Sequence, residues 1–147
     1  MGIRRKGREI AMQTLYALEF KEFLQAETDE IDFCKLKLEE IAESKEITKD
    51  NSIYDFALEI LLNTLAKLEE IDAKIVEHST NWSMNKIANL DRSILRIATY
   101  EILFTPTAPA VIMNEAIEIA KRFCSDSSGK FINGILNSIS QEFHKES

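Results

Sequence analysis

Proline and glycine are almost missing from this chain. Two prolines, Pro106 and Pro109, and four glycines, Gly2, Gly7, Gly129 and Gly134, serve 147 residues, and between Arg8 and Thr105 there is neither. Sandwiches and barrels need a turn roughly every ten residues, and tight turns draw on these residue types, so the helical class leads. Cysteine and histidine are as sparse: Cys34, Cys124, His78 and His144 stand far apart, in no CxxC or metal-ligand spacing. That argues against a metal site or a histidine-based triad, and two buried free thiols are expected. No apolar run approaches the roughly 18 residues that span a bilayer. The basic N-terminus leads into mixed polar sequence instead of an apolar signal core. Lys6 stands where a myristoylation signal after Met1-Gly2 needs Ser or Thr. A cytoplasmic protein without membrane contact is expected.

Catalytic signals are also thin. No GxGxxG or Walker-type loop occurs, so nucleotide phosphates lack their usual cradle. Acidic pairs such as Glu39/Glu40 and Glu69/Glu70 are neighbours one apart, which point to different sides of a helix and read as solvated faces. Neither a cofactor nor enzymatic activity is expected. With 45% hydrophobic residues, the chain is long enough for one domain with a sizeable core, and its length leaves little room for a second catalytic one.

What is present is an uneven distribution of charge. The net charge of -7 argues against nucleic acid, yet it averages over unlike segments. Residues 1–18 carry Arg4, Arg5, Lys6 and Arg8 against Glu9, a sum of +3. Residues 19–77 hold 17 acids and 7 bases, and residues 78–147 hold 7 of each. The positive charge is packed into the first eight residues.

Apolar periodicity predicts helices joined by short links. The first, from about Ile3 to Phe23, bears two stripes: Ala11, Leu15 and Leu18, and Met12, Tyr16, Phe20 and Phe23. A second, Asp29 to Lys45, turns Ile31, Cys34, Leu38 and Ile41 to one side, with Thr28 or Asp29 as its N-cap. Ser52 and Asp55 resemble a capping box that opens a stripe from Ile53 to Ile75, one extended helix or two in line. After a polar patch at 78–81, where Trp82 and Ile87 are expected to cap a joint, a helix opens at Asn89 or Asp91 and runs to Phe104. It ends before Pro106. Pro109 fits the first turn of the next, with Ile112, Ala116, Ile119 and Phe123 inward. A last helix, from about Ser128 to Phe143, buries Ile132, Ile135, Ile139 and Phe143, and Gly134 within it suggests a close neighbour. The expectation is an all-α domain over residues 1–147, a compact pair of helical-bundle subdomains of about 1–80 and 81–147.

Four cations at a helix start oppose the helix dipole, a conflict that an anion relieves. At about 100° per residue, Arg5, Met12 and Tyr16 project within roughly 40° of one another. Guanidinium groups for phosphate and a ring for stacking on a base would then line one groove. A Tyr16 packed in the core fits the same pattern.

The stretch Arg4-Arg5-Lys6-Gly7-Arg8-Glu9, followed by Ala11, Gln13, Leu15 and Tyr16, resembles the opening of the NusB family of bacterial transcription antitermination factors. So do Leu95-Arg96-Ile97-Ala98-Thr99-Tyr100-Glu101, then residues 114–121 (NEAIEIAK) and 130–136 (KFINGIL), in the same order. The resemblance implies an all-α fold of two subdomains without enzymatic activity. It implies single-stranded boxA-type RNA of ribosomal transcripts as target, the ribosomal protein NusE as partner, and assembly into an antitermination complex with RNA polymerase. Matched position by position, Arg4, Arg5, Lys6 and Arg8 are implied RNA contacts, Tyr16 is the aromatic position of the first helix, and Lys130 and Phe131 form a second RNA-facing patch. Many relatives carry an acid directly before the serine of the preceding loop, a position linked to RNA access and partner contacts. Here Ser127 stands there, with Asp126 one place earlier.

Two rivals fit the same composition. The fold also occurs as the N-terminal domain of ribosomal RNA cytosine methyltransferases, whose further cofactor domain has no room in 147 residues. The other is a protein-interaction module or homodimer that buries its two-striped first helix.

Overall fold

The computed structural model describes residues 2–19, 30–80 and 83–145. Among these residues the α-helices are α1 (Ile3–Leu18), α2 (Glu30–Ser44), α3 (Ser52–Ala66), α4 (Leu68–His78), α5 (Asn89–Phe104), α6 (Pro109–Phe123) and α7 (Asp126–Lys145), with a 3₁₀ turn at Met84–Lys86 and no strand. The all-α expectation holds. Phe20, Phe23, the Thr28 or Asp29 cap and Trp82 lie outside the described residues.

Two compact units are present, Met1–Leu65 and Ala66–Ser147. The polar patch suggested a division near residue 80. The backbone instead leaves helical geometry at Lys67 (φ -112°, ψ 17°), which cuts the long apolar stripe into α3 and α4. Packing of α4 against α5 and α7 then assigns it to the second unit.

In the first unit, α1 packs on α2. Residues 7–12 are buried without interruption, charged Arg8 and Glu9 included, so this part of α1 is covered on every side. The inward residues of α2 are Cys34, Leu38 and Ala42, whereas Ile31 is 61% exposed. The expected face was therefore rotated toward Ile31 and Ile41. Without a glycine, α2 ends in a Schellman motif on Glu46 at φ 62°. The Ile47 N–H reaches the Ala42 carbonyl (2.9 Å) and the Glu46 N–H that of Glu43 (2.9 Å). The α3 cap is Asn51, not Ser52: its Oδ1 accepts from the Ile53 N–H at 2.8 Å.

In the second unit, α5 is buried from Ser93 to Ile102 and packs on α4, α6 and α7. The Arg96 guanidinium donates to Asp72 through Nε (2.9 Å) and Nη2 (2.8 Å), a fork that ties α5 to α4. Pro109 occupies the first turn of α6, as expected. The helix α7 starts at Asp126, two positions before the expected Ser128, because Ser125 caps it: its Oγ accepts from the Ser128 N–H at 3.1 Å. Ile132, Ile135 and Ile139 are buried, but Phe143 is 37% exposed. Among the described residues nothing lies within 4 Å of a Cβ placed on Gly134, so none of them makes the close approach expected there.

Candidate nucleic-acid interface

At the start of α1, the N-cap Gly2 offers no side chain and the first turn holds no acid. The positive end of the dipole and the basic cluster therefore coincide. Arg4 is exposed, and Arg5 and Lys6 are half-exposed. Arg8 departs from the expectation of a surface contact, being only 4% exposed.

Arg4 and Arg8 are one helical turn apart and share a face. Both guanidiniums lie over the ring of Phe56, at 5.4 and 5.5 Å from its centroid. A Cβ on Gly7 would come within 2.6 Å of Phe56 Cδ2, so the ring seats where residue 7 has no side chain. A guanidinium stacked on a ring keeps its in-plane N–H donors directed outward, ready for a phosphate. For exposed Arg4 that fits anion binding. For buried Arg8 the stem and the ring contact are mainly structural. In sequence Phe56 is one residue of the apolar stripe from Ile53 to Ile75, and nothing there pairs it with residues 4–8.

The predicted line from Arg5 to Tyr16 runs through Met12, which is 1% exposed. Burial at Met12 interrupts an open groove along it. Tyr16 itself is half-buried, between the two alternatives the sequence left open.

The second expected patch lies in the other unit. Phe131, half-buried, and Ser127, exposed, line a groove of about 270 Å³ together with Lys86, Ile87, Ala88, Asp91 and Ser128. Lys130 and Asp126 are exposed on α7 and are not among the lining residues, so Asp126 does not take the place of Ser127 in the groove. Ser128 Oγ donates to Asp91 Oδ2 at 3.2 Å. Beside them the Cys124 thiol is pushed up to about 12 by burial and by the Asp91 carboxylate. Lys86 and Asp91 had no signal as site residues: one is a lone lysine, the other served as a helix opener.

His78 is not isolated. Its Nδ1 lies 2.7 Å from Ser138 Oγ and its Nε2 contacts Glu142. These separations of 60 and 64 residues carry no sequence signature. Ser138 lies within α7, where helical N–H groups are committed to carbonyls and offer no oxyanion site, so the trio serves as a clasp between α4 and α7. Glu77, His78 and Glu142 place one ligand atom each within 4.8 Å of one another. Lys74 Nζ already sits 3.3 Å from Glu77 and 2.9 Å from Glu142, supplying the positive charge there.

The profile of the NusB family matches residues 5–141. The chain belongs to the NusB family. The transcription antitermination protein NusB of Desulfotalea psychrophila is 42% identical over 140 residues, which cover 95% of this chain and 96% of that protein. T. maritima NusB superposes with a TM-score of 0.79 at 35% identity, over 97% of this chain and 94% of that one. A chain from a crystal structure of antitermination factors NusB and NusE with double-stranded RNA shares the fold, with a TM-score of 0.81 at 24% identity over 97% and 99% of the two chains. The family is one of transcription antitermination factors, not of enzymes. Among the described residues no helix is long and apolar enough to cross a membrane.

Proposed function

We propose that this chain is a cytoplasmic RNA-binding antitermination factor that acts on single-stranded boxA-type elements of ribosomal RNA transcripts together with NusE. The observation that carries the reading is the start of α1, where Arg4, Arg5 and Lys6 crowd an acid-free helix end on a protein of net charge -7. Phosphates neutralise both the cluster and the dipole, while the acidic segment from 19 to 77 repels nucleic acid elsewhere. The name shared by the relatives supports the antitermination role, and the structural neighbour, bound to NusE and double-stranded RNA, supports NusE and RNA as partners.

In this reading Arg4, Arg5 and Lys6 contact phosphates, Arg8 holds Phe56 beneath them, and Tyr16 and Phe131 stack on bases. Lys130 adds a phosphate contact on α7, and Asp126 and Ser127 border RNA and partner. The complex with NusE then joins the antitermination assembly on RNA polymerase. Binding of boxA-type RNA, followed by fluorescence anisotropy with and without purified NusE, tests the proposal. Tighter binding in the presence of NusE is expected. No binding in either case, with light scattering reporting a stable dimer indifferent to RNA, would establish the rival interaction module instead.

A further inference from the structure

The groove beside Phe131 combines three kinds of chemistry in one place. Phe131, Ile87 and Ala88 are apolar, Lys86 is an exposed ammonium, and Asp91 is a carboxylate only 9% exposed. A carboxylate repels phosphate and accepts from a donor-rich base edge, and Asp91 combines that capacity with its place in the first turn of α5. We propose that this groove takes one unstacked guanine of the bound RNA, with Asp91 reading its Watson–Crick edge.

Guanine presents N1–H and N2–H₂ side by side, two donors that match the two oxygens of a carboxylate. Adenine and cytosine place an acceptor next to their amino group, and uracil flanks its one N–H with two carbonyls, so each sets an acceptor against the carboxylate. Ser128 Oγ, bound to Asp91 Oδ2, orients the group. Because a carboxylate has about four acceptor positions, that bond and the one to the Cys124 thiol leave capacity for the base. The face of Phe131 supplies stacking, and Lys86 takes the adjoining phosphate. Asp91 is so little exposed that a base failing to donate leaves its remaining acceptor positions desolvated and unfilled, which is how a polar pocket rejects near-isosteres.

The inference rests on the RNA-binding assignment, and the test separates the two. The probe is a short boxA-type RNA in which each guanine is replaced in turn by inosine, which keeps N1–H and lacks the N2 amino group. It is titrated into the full chain with NusE. One replacement is expected to weaken binding by about tenfold. Asp91→Asn is expected to weaken the unmodified RNA by a similar factor and to become insensitive to that same replacement, while Asp91→Glu restores part of the discrimination. If Asp91→Asn fails to fold, 6-thioguanosine at the sensitive position should photo-crosslink wild-type protein within residues 86–91 or 127–131. RNA binding with no inosine-sensitive guanine, or a crosslink elsewhere, overturns the guanine pocket and leaves the RNA-binding assignment standing. Loss of NusE binding by Asp91→Asn with unchanged RNA affinity overturns it in favour of a protein contact. Absence of any RNA binding removes the assignment itself.

Discussion

A Cβ built on Gly7 would lie 2.6 Å from Cδ2 of Phe56, and the same ring carries the guanidiniums of Arg4 and Arg8. One residue without a side chain thus lets an aromatic ring of α3 seat beneath the basic end of α1. Gly7→Ala adds an overpacking cost of about 1–3 kcal/mol, offset by about 1 kcal/mol of helix propensity. A net loss of about 1 kcal/mol is expected in urea denaturation. In a Phe56→Ala background the clash is removed, and Gly7→Ala should become neutral or stabilising. The same loss in both backgrounds would show that the ring contact is not the cause.

The four N-terminal cations divide into two classes by burial. Replacing Arg4, Arg5 and Lys6 with Ala should weaken boxA-type RNA binding and leave the thermal midpoint nearly unchanged. With three phosphate contacts at about 0.7 each for single strands, the slope of log K against log salt should fall by about 2 in magnitude. Arg8→Ala should instead lower stability by about 1–2 kcal/mol through lost packing and ring contact. Equal RNA defects and equal stability for the two variants would contradict this division.

Glu46 occupies the left-handed position that ends α2, which costs a residue with a Cβ about 1 kcal/mol. Glu46→Gly should therefore raise stability by about 0.5–1 kcal/mol, the remainder being lost to backbone entropy of the unfolded chain. Differential scanning calorimetry at fixed pH is sufficient, and a lower midpoint would count against the assigned motif.

The Glu142 carboxyl is held below its ordinary value of 4.5, first by the Lys74 ammonium and then by His78. A depressed carboxyl contributes stability above the unfolded value and loses it as pH falls through the folded one. The contribution of Glu142 to the clasp between α4 and α7 should therefore fade as pH falls below about 4.5. A comparison of thermal midpoints for wild type and Glu142→Gln should show a gap at pH 6 that closes toward pH 3. A gap independent of pH would exclude this origin.

Cys124, pushed up to about 12 by burial and by Asp91, remains a thiol at pH 8. Alkylation of native protein by iodoacetamide at that pH should leave it unmodified on a timescale that labels the unfolded chain completely. Rapid native labelling, read by mass spectrometry, would show that the thiol is less enclosed.

The helical class and most helix boundaries were legible in the chain itself, because helix stop signals and apolar periods are local. Pro109 opens α6, the segment before Pro106 closes α5, and the absence of glycine and proline between Arg8 and Thr105 leaves the helical class in the lead. The basic start was equally plain, since charge at residues 4–8 needs no partner to be seen. Capping was less so: Asn51 and Ser125 hold α3 and α7 through side-chain bonds that compete with plausible neighbours one to three residues away. What only the tertiary structure decided are relationships across long separations. Phe56 meets Arg4 and Arg8, Asp91 meets Ser128, and His78 meets Ser138 and Glu142, pairings that depend on how whole helices pack and leave no periodic trace. The scarcity of turn residues thus foretold a helical protein. Which side chains share a surface was settled by close packing, where a missing Cβ at Gly7 or a rotation of α2 away from Ile31 determines what meets.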